Sequence, residues 1–288
     1  MPRTIQQSLR AGGRKLQVAG IKSATLDATV IIGFVLQKSK EYLFAHPENF
    51  VLPDQTRAIN KRLSRRALGC PVAYLTNQKE FFGLDFFVDK RVLIPRPKTE
   101  LLVEETLNII SANFKNQRVN VADIGTGSGC LAITLAKRAP NARLFAVDVS
   151  ARALSVAKRN AKLHGVTKKI NFYRGDLLLP LRNKRLDIVI ANLPYLRPNQ
   201  IKGDIRFEPR RALVGGHDGL KLLKKLFQQI TKLKYPPPFL ILEIDRSQMI
   251  AVRRLAKKLL PKTVSPIIRQ TAFPLLKNAP FKKRTAKC

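Results

Sequence analysis

Apolar positions along this chain follow two different rhythms. Up to about residue 75 they recur at helical spacing: Ser23–Gln37 carries Leu26, Val30, Ile31, Phe34 and Val35, with Ser23 placed to cap the start. A later segment begins after Pro53, alternates apolar and basic positions through Arg66, and stops near Gly69. Residues 1–75 therefore read as a small helical bundle whose apolar stripes pack on one another. From Pro71 to Pro97 short extended runs take over. Phe81-Phe82-Gly83-Leu84-Asp85-Phe86-Phe87-Val88 suits an aromatic hairpin, so residues 76–97 are expected to link two domains. No basic residue interleaves with these phenylalanines, which favours packing over nucleic-acid stacking.

Beyond Thr99 the rhythm changes to buried strands separated by helices. Val119–Asp123, Ala142–Asp148, Ile170–Asp176, Leu186–Ala191 and Phe239–Ile244 are short, mostly apolar runs suited to parallel strands. Cys130–Arg138 and Ala151–His164 read as helices between them. This alternation predicts a doubly wound α/β domain over residues 98–288, ending in a basic segment.

Composition narrows the picture. With 288 residues and 45% apolar content the chain can bury a core, despite a formal net charge of +35 from 54 Lys+Arg and 19 Asp+Glu. Such a surplus predicts attraction to nucleic acid, ribosomes or acidic membrane, and says nothing about fold. From Arg246 to Cys288 there is no acidic residue. Cys70, Cys130 and Cys288 are sparse and far apart, which suits a reducing compartment. Met1–Leu16 lacks an apolar signal core, and Val30–Leu36 falls far short of the ~20 residues a membrane span needs. A cytoplasmic protein that avoids membranes is expected. His46, His164 and His217 belong to no ligand spacing and are read as incidental, so no metal is expected. No coiled-coil or obligate partner face is evident, so the expectation is a monomer.

The candidate chemistry lies at the strand ends. Asp123-Ile124-Gly125-Thr126-Gly127-Ser128-Gly129 follows a strand and precedes a helix, where glycines let the backbone turn tightly and approach a ligand. Its G-x-G-x-G spacing matches neither the dinucleotide fingerprint nor the P-loop. Asp148, at the tip of the second strand, can accept both ribose hydroxyls of an adenosine ligand. Asp176 ends the third strand, where a carboxylate can contact an adenine amino group and Leu177 can cover one face of the ring. Together these residues resemble the S-adenosylmethionine pocket of class I methyltransferases, which have a Rossmann-like doubly wound sheet.

Asn192-Leu193-Pro194-Tyr195, after the fourth strand, resembles the Asn-Pro-Pro-Tyr motif of enzymes that methylate an amide or exocyclic amino nitrogen. A planar NH₂ is a poor nucleophile because its lone pair is delocalised. The Asn192 oxygen and the Leu193 carbonyl can accept its two hydrogens, and Tyr195 can pack on the flat face of the substrate. Leu193 stands where the amide-methylating family usually has proline, which keeps the carbonyl and loses the fixed φ. The same four residues also resemble the motif of adenine-N6 methyltransferases acting on ribosomal RNA.

Further motifs resemble the release factor glutamine methyltransferases, the HemK-type protein-(glutamine-N5) methyltransferase family. They are Pro71-Val72-Ala73-Tyr74-Leu75-Thr76, Lys79–Gly83, Leu93-Ile94-Pro95-Arg96-Pro97-Lys98-Thr99-Glu100, Arg206-Phe207-Glu208-Pro209 and Ala212–Leu220. The resemblance runs from about Ser23 to Leu260. It implies methylation of the glutamine amide in the Gly-Gly-Gln motif of peptide chain release factors, with residues 1–75 as a substrate-recognition domain. It further implies that Gly125, Thr126, Gly127, Ser128, Gly129, Asp148, Asp176, Leu177 and Asn192 contact the cofactor. Asn192, Leu193, Pro194 and Tyr195 would hold the amide, and Arg96, Pro97, Thr99, Glu100 and Glu208 would line the pocket edge. Lys98 replaces the acidic residue usual in that segment, Pro236–Pro238 replace a Gly-rich turn, and Asp245 replaces a glycine. The family's closing strand pair has no clear counterpart in Thr263–Cys288. The alternatives are an RNA adenine-N6 methyltransferase and a non-catalytic ribosome-binding relative. The basic surplus is then a property of the surface, from compositional bias or from docking near ribosomes or RNA.

Overall fold

A computed structural model describes residues 3–115 and 117–271. Two compact units divide the chain. Among the described residues, one holds 3–78 together with Gly203–Phe207, and the other holds Lys79–Lys202 and 208–271. No helix among the described residues is long and apolar enough to cross a membrane.

The helical unit contains β1 (Arg3–Thr4), α1 (Ile5–Val18), α2 (Ala24–Leu36), α3 (Lys40–Ala45), β2 (Phe50–Val51), α4 (Pro53–Ala67) and α5 (Val72–Thr76). Thr4 and Gln7 form a capping box at the start of α1, and Pro53 opens α4 where its missing N–H costs nothing. Small residues let the helices approach closely. A Cβ on Gly12 would stand 3.1 Å from Leu63 Cδ1 and 3.3 Å from the Ala28 methyl.

The expected stripe on α2 is buried only in part, at Ile31. Leu26, Val30 and Phe34 are 56%, 42% and 37% exposed, while Asp27, Ala28, Ile31 and Ile32 face inward. The cause is polar: Arg66 Nε on α4 donates to Asp27 Oδ2 at 2.7 Å, and α2 turns its carboxylate toward that cation. Ser23 does stand at the N-cap, yet its hydroxyl donates to Asp27 Oδ2 at 2.9 Å and makes no capping bond.

The second unit opens on the hairpin of β3 (Gln78–Phe81) and β4 (Leu84–Phe87). Phe82 and Gly83 at its turn have φ of 54° and 73°, as two-residue hairpin loops require. Phe81 and Phe86 are fully buried, meet edge to face and join the core under the sheet. The expected linker is thus largely part of the sheet unit, because its aromatic rings are core.

There follow α6 (Glu100–Asn113), β5 (Val119–Ile124), α7 (Cys130–Arg138), β6 (Ala142–Asp148), α8 (Ala151–Leu163), β7 (Ile170–Arg174) and β8 (Ile188–Ala191). Then come α9 (Arg210–Leu213), α10 (Lys221–Ile230), β9 (Phe239–Asp245), α11 (Met249–Leu259) and β10 (Ser265–Thr271). Six strands lie in the order β10-β9-β8-β5-β6-β7, with every pairing parallel. The chain runs outward from β5 to β7, then returns to β8 on the other side of β5. A crevice therefore opens at the carboxyl ends of β5 and β8, the topological switch point. Successive residues of β5 enter opposite cores, Val121 one and Ala122 the other. Burial on both faces explains why these strands read as unbroken apolar runs.

Two strand assignments change. β7 stops at Arg174, because the Gly175 amide turns back to the Asp148 carbonyl at 3.1 Å, so Asp176 lies in the turn beyond it. β10 supplies one closing strand, parallel to β9, and carries Pro266 at the sheet edge, where a missing N–H is tolerated. The remainder of the Thr263–Cys288 question, from residue 272, lies outside the described residues, as does most of the expected basic tail.

One buried side chain ties the hairpin to the sheet unit's loops. Asn160 on α8 is 0% exposed. Its Oδ1 accepts the Phe87 N–H at 2.8 Å, and its Nδ2 donates to the carbonyls of Phe87 at 3.0 Å and Ser128 at 2.9 Å. Asn160→Ala removes partners from the buried Ser128 carbonyl and the half-buried Phe87 N–H and carbonyl, and should lower unfolding free energy by about 2–4 kcal/mol in urea titration. A loss below about 1 kcal/mol would mean that water takes over those bonds.

Candidate active site

Four strands deliver the expected residues to one edge of the sheet. Gly125, Gly127 and Gly129 adopt φ of 79°, 56° and 82°, a region closed to most side chains. The Gly125 and Thr126 amides donate to the Val147 carbonyl at 2.8 and 3.0 Å, folding the loop over the end of β6. A Cβ at Gly129 would lie 2.9 Å from Ile133 Cδ1 and 3.1 Å from the Ala157 methyl, so α7 starts hard against α8. A Cβ at Gly127 would instead meet nothing closer than the Gly125 carbonyl at 3.8 Å, leaving an open approach to the backbone. Thr126 and Ser128 are buried beneath the loop.

Three carboxylates flank this loop and differ in state. Asp148 takes the Gly127 N–H at 3.0 Å on Oδ2 and the Ser150 N–H at 2.8 Å on Oδ1. Burial nonetheless holds its pKa above the ordinary carboxylate range. Asp123 lies deeper, 1% exposed, with the Thr126 hydroxyl on Oδ2 at 2.6 Å. Its Oδ1 has no hydrogen-bond partner among the described residues, and burial pushes the group up to about 7. Asp176 is instead paired with Lys225 at 2.5 Å. Leu177, buried beside it, has a φ of 54°, unusual for a branched apolar residue and consistent with a side chain directed by the turn.

The Asn192–Tyr195 segment leaves β8 next to the Gly-rich loop: a Cβ on Gly125 would be 3.2 Å from Leu193 Cδ2. Leu193 is buried in the apolar cluster with Ile124 and Leu223, so packing replaces the stiffness a proline would give. Asn192 Nδ2 donates to Thr99 Oγ1 at 3.1 Å. The Tyr195 hydroxyl donates to buried Glu243 on β9 at 3.3 Å. Gln248 Nε2 donates to the Tyr195 carbonyl at 3.0 Å and to the Asp218 carbonyl at 3.3 Å. Gly215 and Gly219 press on the same segment. A Cβ at Gly215 would fall 2.3 Å from the Pro194 carbonyl, and one at Gly219 would fall 2.2 Å from that of Tyr195.

The expected pocket-edge residues divide into two groups. Thr99, in the short turn Pro97–Thr99, is buried and reaches Asn192 directly. Glu208 is buried, takes the Ile94 N–H at 3.0 Å on Oε2, and pairs through Oε1 with Arg96. Glu100 is turned to the hairpin, where its carboxylate takes the Phe82 N–H at 2.9 Å. Pro97 is exposed at the start of the turn.

Asn160, Glu243 and Gln248 were not legible as site residues. For Asn160 a signal existed, a polar side chain in phase with Ala153, Ala157 and Ala161 on the buried face of α8. His217, read as incidental, lines a groove of about 550 Å³ with Arg197, Pro198, Asn199 and Asp218. Among the described residues no cluster of three His, Cys, Asp or Glu side chains could hold a metal ion.

Parallel sheet, Gly-rich loop and strand-end carboxylates describe a methyltransferase, and residues 99–208 match the family model "Methyltransferase small domain". Residues 7–76 match "PrmC N-terminal domain". A release factor glutamine methyltransferase of Moorella thermoacetica is 38% identical over 257 residues, covering 88% of this chain and 90% of the relative. One of Koribacter versatilis is 34% identical over 85% of this chain and 87% of the relative. One of Coxiella burnetii is 37% identical over 77% of this chain and 79% of the relative. The chain belongs to the release factor glutamine methyltransferase family.

The state of Asp123 has a measurable consequence. A carboxyl group raised from about 3.9 when unfolded to about 7 when folded contributes its stability below pH ~4 and loses it as pH rises through ~7. Urea midpoints measured from pH 4 to pH 8 should therefore fall less with rising pH in Asp123→Asn than in the parent protein. Parallel curves for the two would show that Asp123 titrates normally.

Proposed function

We propose that this enzyme transfers the methyl group of S-adenosylmethionine to the side-chain amide nitrogen of the glutamine in the Gly-Gly-Gln motif of peptide chain release factors. The orientation of Asn192 carries the reading. Its Nδ2 is committed to the Thr99 hydroxyl, so its Oδ1 is left to accept a substrate N–H. The Leu193 carbonyl accepts the other hydrogen, and the pair holds a planar NH₂ while favouring pyramidalisation. Tyr195, its hydroxyl anchored on Glu243, offers its ring to the flat face of the amide. Positioning supplies most of the rate.

The residues present fit the cofactor. Gly127 has no side chain in the way, and the chain around Gly125 to Gly129 turns its backbone outward. Asp148 would take the ribose hydroxyls, Asp176 and Leu177 would border the adenine, and Asn192 would stand between cofactor and substrate. When bound, S-adenosylmethionine supplies a sulfonium methyl carbon open to in-line displacement. The methylated nitrogen is strongly acidic and gives its proton to water, so a dedicated base is unnecessary. Arg96 and Glu208 brace the pocket edge, and the groove lined by Arg197 and His217 would take the peptide beside the glutamine.

An adenine amino group has the same shape as the amide, and the same cradle would fit it. The N-terminal match and the names of the relatives favour the protein substrate. The basic surplus of the chain would then aid encounter with release factors near ribosomal RNA.

With labelled S-adenosylmethionine, the enzyme should label a release factor and not its Gly-Gly-Gln Gln→Ala variant. Label in ribosomal RNA with none in the release factor would overturn the proposal. Asn192→Ala should cut the rate by about 10²–10³ while leaving cofactor affinity within about twofold. An equal loss of cofactor affinity would show that Asn192 serves the cofactor and not the amide.

A further inference from the structure

Two helices on one face of the sheet differ in what they leave outside. α10 and α11 pack into the same core cluster, through Leu223, Leu226 and Phe227 on α10 and Val252 and Ala256 on α11. Two of the three lysines of α10 are matched by acids: Lys224 pairs with Asp218 at 2.6 Å and Lys225 with Asp176 at 2.5 Å. On α11, every exposed side chain from Val252 to Leu259 is a cation: Arg253, Arg254, Lys257 and Lys258. Exposed Arg246 before the helix and Lys262 after it extend the row. Among the described residues none of the six has a carboxylate partner. Acids close in the sequence or the sheet are committed elsewhere. Asp245 accepts the N–H and hydroxyl of Ser247 at 2.8 and 2.6 Å, and Glu105 on α6 pairs with Arg269 of β10. The helix dipole favours Lys257 and Lys258 in the last turn, but it gives no such reason for Arg253 and Arg254. Arg253 with Lys257, and Arg254 with Lys258, are like charges four residues apart that oppose the helix. An external polyanion would relieve that repulsion.

We propose that the outer face of α11, with Arg246 and Lys262 at its ends, binds the phosphate backbone of double-stranded RNA. Guanidinium forks and ammonium groups both take phosphate oxygens. A duplex fits this face better than a single strand or a membrane. Single strands are held by stacking on aromatic rings, and α11 has none. Membrane insertion needs an apolar side, and that of α11 is taken up by the core, with Ile250 its one large apolar side chain left exposed. No residue of the methyl-transfer cradle or of the groove beside His217 takes part, so this is an activity separate from the one proposed above. Only the choice of RNA over DNA rests on that reading, since release factors act beside ribosomal RNA. With contacts to phosphates alone, binding is indifferent to sequence and falls steeply with salt.

Fluorescence anisotropy of a labelled RNA duplex of about 20 base pairs, titrated with the full chain at about 50–200 mM KCl, tests the surface. Arg253→Gln, Arg254→Gln, Lys257→Gln and Lys258→Gln together should weaken binding more than about tenfold at ~50 mM salt. The slope of log affinity against log salt should flatten by about 3. Glutamine keeps the helix propensity, so Tm should hold. Should that variant not fold, Arg253→Gln with Lys257→Gln should give about half the change in slope. A matched control removes the same charge from the same unit: Arg152→Gln, Lys158→Gln and Lys162→Gln on α8 with Lys137→Gln on α7, all exposed. It should cost less than about threefold. Equal losses in the two variants would show diffuse charge without a site, and would overturn the proposal. So would no binding of the duplex at ~50 mM salt, or tighter binding to a DNA duplex of the same length or to phosphatidylserine vesicles. None of these readouts uses methyl transfer, so failure to label a release factor would leave the surface standing.

Discussion

The site depends on how closely the Leu193 side chain approaches the Gly125 backbone where β5 and β8 part. Gly125 has no side chain, and Leu193 Cδ2 stands 3.2 Å from where a Cβ would be, a tight contact for one. This contact sets the spacing between the loop that would hold a nucleoside and the carbonyls that would hold an amide. Pairing of β5 with β8 from Val121 to Ile124 fixes the register of both loops before either begins. The rest supports this spacing from behind. Gln248, Gly215 and Gly219 press on the carbonyl side of Asn192–Tyr195, and Asn160 holds Ser128 beneath the glycines. A displaced methyl needs the nucleophile within a few tenths of an ångström of its line of attack, so rigid support carries much of the catalysis.

Acidic residues are scarce in this chain, and several in the sheet unit accept from backbone amides. Asp187 takes the Asn120 N–H, Asp218 takes that of Leu220, Glu100 that of Phe82 and Glu208 that of Ile94. These carboxylates serve as acceptors for backbone donors that would otherwise be costly to bury. The +35 surplus therefore describes the residues left over once fold and site have claimed the acids.

Most of the sheet unit was legible because both faces of its strands are buried, which writes β5, β6, β8 and β9 as apolar runs with hard ends. The Gly-rich loop and Asn192–Tyr195 were legible because their chemistry is local in sequence. Three things were not. The inward face of α2 was legible at Ile31 only, because a buried ion pair with Arg66, 39 residues away, turns the helix from the rest of its apolar stripe. β10 was hidden by Pro266 and Arg269, which interrupt its apolar run at the sheet edge. Asn160 and Gln248 bond backbone atoms brought near only by the fold; the phase of Asn160 with the buried alanines of α8 marks it as inward, and its partners are legible only in the structure.

The net charge and the proposed chemistry pull in opposite directions, and the strand ends reconcile them. A cationic methyl donor would be repelled by the mean field of a protein at +35. At the carboxyl edge Asp123 is buried and Asp148 is largely so, and once ionised their low-dielectric surroundings would screen them little. Burial makes each reluctant to ionise in the empty protein, which raises Asp123 to about 7. A nearby cation would lower that cost, so donor binding and carboxylate ionisation would reinforce each other. A donor that has given up its methyl group carries no sulfonium charge, and the same carboxylates would gain less from it. The buried acids would thus favour the charged donor over its neutral product, although the surface around them is basic.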